Sequence, residues 1–293
     1  MIRYLKRKDI NDVKYNKCIE KAINTRIYAY SWYLDIVADH WNALVIDDYK
    51  IVMPLPWRSK YFIKYIYTPC WTQQLGVFSS TKVKSEILSQ LLNNIPKNYR
   101  KVTINYNSDN NFENEKLTEM VNYILPLDKP YKELFQKYQY IRRRAIKQLS
   151  LSEITIAEGE NHEEIIQLFI EQKQKEVDLR TEDYECLNRI TSMLKFQGKA
   201  LIISAYNKQD EFIGGAIFFI GLKRISYMFS AITQEGRDKQ IMTSIIDSVI
   251  EKYSNTNYIF DFEGSMIPGI AFFFKSFGAK KEIYFTYQKY LSS

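Results

Sequence analysis

The sequence predicts an α/β protein built from two copies of one structural unit, and three observations support this prediction. The chain has 293 residues, which is long for one core and comfortable for two domains of ordinary size. Segments in which apolar residues recur at helical spacing alternate with short runs rich in β-branched and aromatic residues. The second half also repeats the element order of the first half, although the two halves share little identity.

The first half begins with a short helix at about residues 30–38, followed by a hairpin. The strands 42–46 and 49–54 of this hairpin show the alternation of a pleated segment, and Asp47 and Asp48 supply its turn. The remaining predicted elements of this half are strands at 61–67, 73–78 and 101–107 and helices at 83–95 and 113–125.

The second half shows the same order. Asn161 precedes a helical pattern, and its side chain is predicted to cap that helix. Ala200–Ile203 holds the place that Ala43–Ile46 holds in the first half, because each run precedes a polar turn and a second strand. The predicted elements are helices at 162–177, 183–196, 240–253 and 271–278, a hairpin at 199–222, and strands at 223–232, 256–262 and 282–290.

The composition is that of a globular protein from a reducing compartment. Hydrophobic residues make up 46% of the chain and charged residues 26%. Three isolated cysteines argue against a disulfide framework and fit a cytoplasmic location. The basic start of the chain has no apolar run after it, and the longest apolar run, Phe212–Leu222, is too short to cross a bilayer. With two histidines and no Cys/His cluster, we expect no metal site.

The formal net charge of +7 favours anionic partners such as phosphorylated ligands or nucleic acid. The segment Lys137–Gln148 is the densest basic run, with five basic residues and no acidic one. Adjacent helical residues lie about 100° apart, so Arg142, Arg143 and Arg144 cannot all face one way. One or two of them could bind a ligand phosphate in a cleft, while a solvated surface or a nucleic-acid contact remains the alternative.

The stretch Asp261–Lys281 holds two carboxylates at the end of a predicted strand. Asp261 and Glu263 are two residues apart, so they share one face of an extended segment. Either one is therefore a candidate for holding or deprotonating an amine. The alternative is structural, with Asp261 and Ser265 capping the turn that follows.

The helix predicted after this turn is almost wholly apolar and carries one lysine, Lys275. A lone ammonium on such a helix either reaches solvent or contacts a bound anion. Cys70 has no histidine near it in the sequence, so a structural thiol is expected there rather than a nucleophile.

Three motifs of the second half carry a resemblance to a known family. They are YIRRRAIKQ at 140–148, FDFEGS at 260–265 and GIAFFFKSFGA at 269–279. Together with the element order, they resemble the FemXAB group of aminoacyl transferases and their acyltransferase relatives, in which two GNAT units stand in tandem. The first half resembles that group mainly in element order.

The resemblance implies an α/β fold with a mixed sheet, in which two tandem GNAT-like units occupy residues 1–135 and 136–293. The second unit would carry the acyl-donor site. The implied function is N-acyl or aminoacyl transfer from an activated thioester or ester to a small-molecule amine acceptor. Acyl-CoA or aminoacyl-tRNA would be the donor substrate, tRNA would be a partner in the second case, and no cofactor would be tightly bound. The alternative is a catalytically inactive GNAT-like module that binds an anionic ligand or RNA.

The resemblance also implies site residues. Catalytic roles would belong to Asp261, Glu263 and Lys275, the last lying near the phosphate or carbonyl oxygen of the donor. Backbone N–H groups between two diverging strands, 227–232 and 258–262, would stabilise the oxyanion. The residues implied to bind the donor are Gly236, Arg237, Ser265, Arg142 and Arg143.

One segment departs from the GNAT pattern. GNAT enzymes that use acetyl-CoA have a loop of small residues at this place, and its backbone N–H groups face a pyrophosphate at the start of a helix. Here the segment reads TQEGRDKQIM, with Gly236 but with Lys239 and Gln240 in place of small residues. The donor therefore stays open between coenzyme A and other carriers.

Overall fold

The computed structural model describes residues 1–113, 115–173, 177–264 and 266–290. The chain forms two compact units. Unit 1 comprises Met1–Val121 and Glu282–Ser293, and unit 2 comprises Asn122–Lys281. Helices and a mixed sheet occur in each unit, so the predicted α/β class is confirmed.

The elements of unit 1 come mainly from the first 121 residues. They are β1 (Ile2–Lys6), α1 (Asp12–Lys21), α2 (Ser31–Val37), β2 (His40–Ile46), β3 (Ile51–Lys60), β4 (Ile63–Ile66), β5 (Phe78–Ser79), α3 (Ser85–Asn93), β6 (Tyr99–Tyr106) and the first residues of β7 (Thr118–Pro126). Single 3-10 turns cover Arg7–Asp9 and Ile27–Ala29.

Unit 2 begins with the remainder of β7. Its other elements are α4 (Tyr131–Gln136), α5 (Tyr140–Leu149), β8 (Thr155–Glu158), α6 (His162–Lys173), α7 (Thr181–Phe196), β9 (Ala200–Tyr206), β10 (Phe212–Ile220), β11 (Arg224–Ile232), α8 (Gln234–Asp238), α9 (Ile241–Lys252), β12 (Ile259–Asp261) and α10 (Pro268–Lys275). The last strand, β13 (Lys280–Tyr290), pairs through its residues from Phe285 onward with β6 of unit 1.

The sheet of unit 1 has the strand order β1-β2-β3-β4-β6-β13, with β5 beside β3. The pair β4–β6 is parallel and the other pairs are antiparallel. Buried apolar side chains of β2, β3 and β6, such as Leu44, Leu55 and Tyr99, form one core cluster with Leu88 and Leu91 of α3. Those two leucines lie three residues apart, which places them on one face of the helix.

The sheet of unit 2 has the strand order β7-β12-β11-β10-β9-β8. The pair β11–β12 is parallel and the other pairs are antiparallel. The two units thus share an antiparallel meander followed by a parallel crossover, which is the repeat that the sequence predicts. The meander strands here are β9, β10 and β11, and α9 is the crossover helix.

The bounds of the units differ from the predicted 1–135 and 136–293 because of two strands. The C-terminal strand β13 pairs antiparallel with β6, from Phe285↔Tyr106 to Tyr290↔Lys101, and so belongs to unit 1. The end of β7 pairs antiparallel with β12 and belongs to unit 2. Neither pairing is visible locally, because the partners lie far apart along the chain.

The predicted helix at 113–125 is wrong. Apolar residues there recur at intervals of three and four, but the structure has β7 at Thr118–Pro126. Leu125 faces Phe260 of β12 in register and is buried. Strand pairing satisfies the backbone of this segment, and tertiary context of this kind overrides local helical spacing.

Candidate functional site

The strands β11 and β12 separate after three paired residues. They run parallel through the pairs Arg224↔Ile259, Ile225↔Phe260 and Ser226↔Asp261. β12 ends at Asp261, whereas β11 continues to Ile232. The residues 227–232 therefore pair with β10 but not with β12. The pairing therefore ends at the place where the resemblance implies that the two strands diverge.

A β-bulge in β11 places Tyr227 beside this opening. Ile217 pairs with Phe229 and Phe218 pairs with Tyr227, so Met228 is the extra residue on β11. The bulge lets the Tyr227 hydroxyl donate a hydrogen bond to Oγ of Ser230, at 2.5 Å. Burial raises the pKa of Tyr227 to about 12, so the hydroxyl stays protonated at neutral pH.

Helix α10 lies against Tyr227 through its aromatic residues. Pro268 stands in the first turn, where its missing N–H would be unpaired in any case. Phe274 is buried, and the centroid of its ring lies 6.2 Å from that of Tyr227 and 4.8 Å from that of Phe262. These ring contacts hold the helix next to the end of β12.

Lys275 is exposed at the last turn of α10. Its Nζ lies 5.5 Å from the ring centroid of Tyr123, the buried residue of β7 whose ring also faces Phe274. In the part of the chain that the structure describes, no carboxylate forms an ion pair with this lysine. The geometry is compatible with a bound anion, although it also leaves Lys275 in contact with solvent.

Arg142 of α5 is a buried cation. Its side chain leaves the residue only 8% exposed, and one Nη donates a hydrogen bond to Oγ1 of Thr243, at 2.6 Å. The guanidinium carbon lies 4.8 Å from the ring centroid of Phe273 in α10, and its Nε has no hydrogen-bond partner. Burial lowers the pKa of Arg142. Within the described ranges, no acidic side chain forms an ion pair with it.

The partner of Arg142 lies in the first turn of α9. Gln240 precedes this helix with φ 55°, and its side chain does not cap the helix. The first N–H groups of a helix carry a partial positive charge. Thr243 is the third residue of α9, so a buried guanidinium and a helix N-terminus place two positive groups side by side. Such an arrangement favours an anion.

Arg143 and Arg144 follow Arg142 on α5 and are exposed. The structure therefore separates the three arginines as helical geometry requires, with one buried and two in solvent. Ser265, which the resemblance assigns to donor binding, lies outside the described residues.

Asp261 has both carboxylate oxygens engaged and is fully buried. Oδ2 accepts from Nη1 of Arg224 at 2.7 Å, and Oδ1 accepts from Nδ2 of Asn122 at 2.8 Å. The residues of this cluster belong to three neighbouring strands, β12, β11 and β7. The arrangement joins those strands at the point where the sheet opens.

The expectation that Asp261 and Glu263 share one polar face of an extended segment is wrong. The strand ends at Asp261, and Glu263 has φ 56°, which lies in the left-handed region. The backbone N–H of Glu263 donates to Oδ1 of Asp261 at 3.0 Å, so the aspartate does cap the turn. Glu263 itself is half-buried beyond the strand end.

Gly236 lies in α8 and is buried against β10. A Cβ at this position would come within 2.4 Å of the carbonyl oxygen of Ile213. The N–H of Gly236 donates to Oγ1 of Thr233, and the N–H groups of Arg237, Lys239 and Gln240 donate to oxygens within the same segment. These amides are bonded inside the turn, and the side chain of Arg237 is exposed.

Sequence reasoning missed the residues that connect the site. Asn122, Arg224 and Thr243 are polar and almost fully buried, yet each belongs to a segment that looks ordinary by itself. Asn122 and Asp261 are 139 positions apart. The one local signal of this buried cluster is Arg224, a charged residue near the start of the predicted strand 223–232.

Two further findings concern membrane-spanning helices and metal sites. Among the described residues, no helix combines the length and the apolar composition that crossing a membrane requires. No group of three or more His, Cys, Asp or Glu side chains in the same residues is placed to hold a metal ion.

Comparison with known proteins finds similarity in structure and none in sequence. No protein-family model matches the chain, and no curated protein matches it. The crystal structure of FemX has a TM-score of 0.70 at 12% identity, covering 97% of this chain and 96% of that chain. L-PGS from Bacillus licheniformis has a TM-score of 0.55 at 10% identity, covering 96% and 92%.

A tandem GNAT protein from the clavulanic acid biosynthesis pathway also matches, with a TM-score of 0.54 at 9% identity over 100% of both chains. The chain has the FemXAB-like tandem GNAT fold. At these identities the similarity concerns the fold alone. Within this fold, the point where the pairing of β11 with β12 ends lies in the second unit.

Proposed function

We propose that unit 2 transfers an acyl or aminoacyl group from an activated ester or thioester to an amine. The observation that carries this proposal is that the pairing of β11 with β12 ends at Ser226 and Asp261, whereas β11 continues to Ile232. Backbone N–H groups beyond the end of such a pairing can donate to a carbonyl oxygen as it becomes negative during attack. The tandem GNAT fold supports the same reaction class.

The donor in this proposal carries a phosphate near Arg142. A buried guanidinium with one neutral partner is poorly stabilised. An anion that accepts two hydrogen bonds from it would stabilise its charge more than a neutral acceptor would. The first turn of α9 adds backbone N–H groups to this site. Lys275, at the far end of α10, would contact a second phosphate or the carbonyl oxygen of the donor.

Between the two donors, aminoacyl-tRNA is favoured over acyl-CoA. The segment that holds a pyrophosphate in acetyl-CoA-using GNAT enzymes is here the short helix α8, whose amides from Gly236 to Gln240 are bonded internally. A donor phosphate would therefore be bound by side chains such as Arg142 rather than by a loop of free amides.

The two carboxylates take different parts in this proposal. Asp261 positions the end of β12, because Arg224 and Asn122 occupy its oxygens. Glu263 lies beyond the strand, where it could hold the acceptor amine or accept its proton. Product formation needs one proton to leave the attacking nitrogen and one to reach the leaving oxygen or sulfur.

A transfer assay tests this function. Purified protein would be incubated with a labelled aminoacyl-tRNA mixture or with acyl-CoA, and with a panel of amines that includes amino acids, amino sugars and polyamines. We expect label in an amine product with the first donor, and much less after Arg142→Met. If neither donor yields product while both fail to raise the unfolding temperature, the proposed function is wrong.

A non-catalytic function is the second candidate, and the exposed Arg143 and Arg144 favour it. Such a module would bind RNA through these side chains without transferring a group. In that case Arg143→Gln with Arg144→Gln would abolish a salt-sensitive gel shift, and no donor would be consumed by the wild-type protein. Consumption of a donor would decide against it.

A further inference from the structure

The turn between β3 and β4 in unit 1 exposes three consecutive apolar side chains. Tyr61 is 83% exposed, Phe62 104% and Ile63 51%. Single exposed apolar residues are ordinary on protein surfaces, but a contiguous group at the tip of a hairpin is not. Tyr61 and Phe62 therefore bury little of their apolar surface against the rest of unit 1.

The backbone conformation of this turn is also unfavourable for aromatic residues. Lys60 pairs with Ile63, so Tyr61 and Phe62 form a two-residue loop with φ of 50° and 63°. Two positive φ values are typical of a type I′ turn, where Asn-Gly is preferred. Bulky side chains are strained in this conformation. Aromatic residues stand there against both backbone preference and exposure, which indicates a function.

The charged residues of the hairpin segment itself are all basic. The segment Trp57–Ile66 contains Arg58, Lys60 and Lys64 and no acidic residue. Arg58 forms an ion pair with Asp39, with Nε 3.5 Å from Oδ2. The Nζ of Lys60 lies 5.6 Å from the ring centroid of Tyr61, and neither this lysine nor Lys64 has a carboxylate partner in the part of the chain described.

We propose that this hairpin tip, Lys60–Lys64, inserts into the interface of a membrane that contains anionic lipids. Aromatic side chains favour the boundary between headgroups and acyl chains. Lysines beside them can keep their stems along the apolar layer and their ammonium groups at the lipid phosphates. The contact needs no membrane-spanning helix, since it attaches the protein to one surface.

The size of the tip favours a lipid surface over a protein partner. A stable protein interface buries about 800 Å² on each side, which requires about twenty residues or more. A tip of three apolar side chains cannot supply that area. A bilayer interface closes around whatever is inserted and requires no matching shape, so three apolar side chains and two cations suffice for reversible binding.

Vesicle flotation tests the proposal with phosphatidylcholine vesicles that either contain or lack phosphatidylglycerol. We expect the protein to float with phosphatidylglycerol vesicles, less so at high salt. The double variant Tyr61→Asn with Phe62→Gly should bind at least tenfold more weakly. It places Asn-Gly in the type I′ turn, so its unfolding temperature should equal or exceed that of the wild type.

Two further variants provide matched controls. Phe196, at the end of α7 in unit 2, is 94% exposed, so Phe196→Ser removes a similar exposed ring and should leave vesicle binding unchanged. Replacing Lys60 and Lys64 by Gln should weaken binding to phosphatidylglycerol vesicles by about fivefold for each lysine. Binding to vesicles of phosphatidylcholine alone should not change.

Three outcomes would overturn the proposal. The wild-type protein could fail to float with either vesicle, or the Asn-Gly variant could float as well as the wild type. The third outcome is self-association of the wild type, without vesicle binding, that the Asn-Gly variant abolishes. In that case the tip would be a contact between protein molecules.

Discussion

Both units contain a parallel strand pair in which one strand is shorter than its partner, and they treat the remaining edge differently. In unit 1, β4 ends at Ile66 while β6 continues, and Leu75 then lies beside the end of β6. The N–H of Leu75 donates to the oxygen of Asn105 at 2.8 Å, and the N–H of Asn107 donates to the oxygen of Leu75 at 3.1 Å. The edge is closed.

In unit 2 the longer strand is β11, and the chain after it leaves the sheet at once through Thr233 and α8. β12 ends at Asp261, so the pairing of β11 with β12 stops at Ser226. The comparison explains why unit 2, rather than unit 1, is the candidate for chemistry.

Two buried arginines repeat this contrast. Arg26 of unit 1 donates to four neutral oxygens, those of Asn24, Thr25, Gln74 and Ser108, at 3.2 to 3.3 Å. Arg142 of unit 2 donates to one, that of Thr243. The Nε of each arginine lacks a hydrogen-bond partner. The contrast lies in the Nη groups, because those of Arg26 have four acceptors whereas those of Arg142 have one and keep hydrogen-bonding capacity for a ligand.

The largest expected effect concerns the ends of the parallel strands. Unit 1 uses the neutral Asn107 there, with its amide donating to Leu75 and Val77, and unit 2 uses the buried ion pair of Asp261 with Arg224. Asp261→Ala removes the carboxylate that Arg224 and Asn122 contact, and the loss of this buried ion pair should lower the free energy of unfolding by about 3–5 kcal/mol. Urea denaturation measures this change. A variant of normal stability but without transfer activity would instead support the predicted catalytic role.

The second-largest expected effect is on the rate of transfer and concerns Lys275 of unit 2, which has no counterpart in the comparison with unit 1. Lys275→Ala should reduce the rate of transfer by about 10²–10³, because the ammonium would no longer stabilise donor charge. The circular dichroism spectrum and unfolding temperature should not change, since Lys275 is exposed. Lys132→Ala, an exposed lysine on α4, is the matched control. Wild-type turnover by Lys275→Ala would rule out a role for this lysine.

Arg26 and Arg142 have different numbers of hydrogen-bond partners, so replacing each of them should change the stability of the protein differently. Arg26→Met should lower the free energy of unfolding by about 2–3 kcal/mol, because it leaves buried oxygens without donors. Arg142→Met should leave it unchanged or raise it, since a buried charge with one partner is removed. Denaturation of both variants compares them directly. Equal destabilisation would mean that Arg142 is structural, and its place in the donor site would be lost.

The smallest effect depends on pH. Asp247 of α9 is buried and accepts from the hydroxyl of Tyr131, and burial raises its pKa from 3.8 to about 6. The folded protein holds this proton to higher pH than the unfolded chain, so stability falls as pH rises from about 4 to 6 and stays lower above 6. Asp247→Asn should therefore stabilise the protein by about 2 kcal/mol at pH 7 and have little effect at pH 4. Urea denaturation at both pH values measures this, and equal effects would contradict it.

Much of unit 2 could be predicted from local patterns. The helices α6, α7 and α9 lie where apolar residues recur at helical spacing, and the turn between β9 and β10 lies at the predicted polar residues. Local preference predicts a strand at Tyr61 and Phe62, because their side chains favour extended structure and nothing local indicates a turn with two positive φ values. Local spacing likewise predicts a helix where the structure has β7.

The sequence by itself determined the tandem repeat, the motifs around Arg142 and Lys275 and, apart from segments such as β7, the element order, because spacing, capping and turn preferences act over a few residues. Only the tertiary structure decided which strand completes each unit and whether a strand edge stays open. It also decided whether an arginine finds four partners or one. Those outcomes depend on segments more than a hundred positions apart, such as Asn122 and Asp261. Burial then determines which polar groups must satisfy each other and which are left for a ligand.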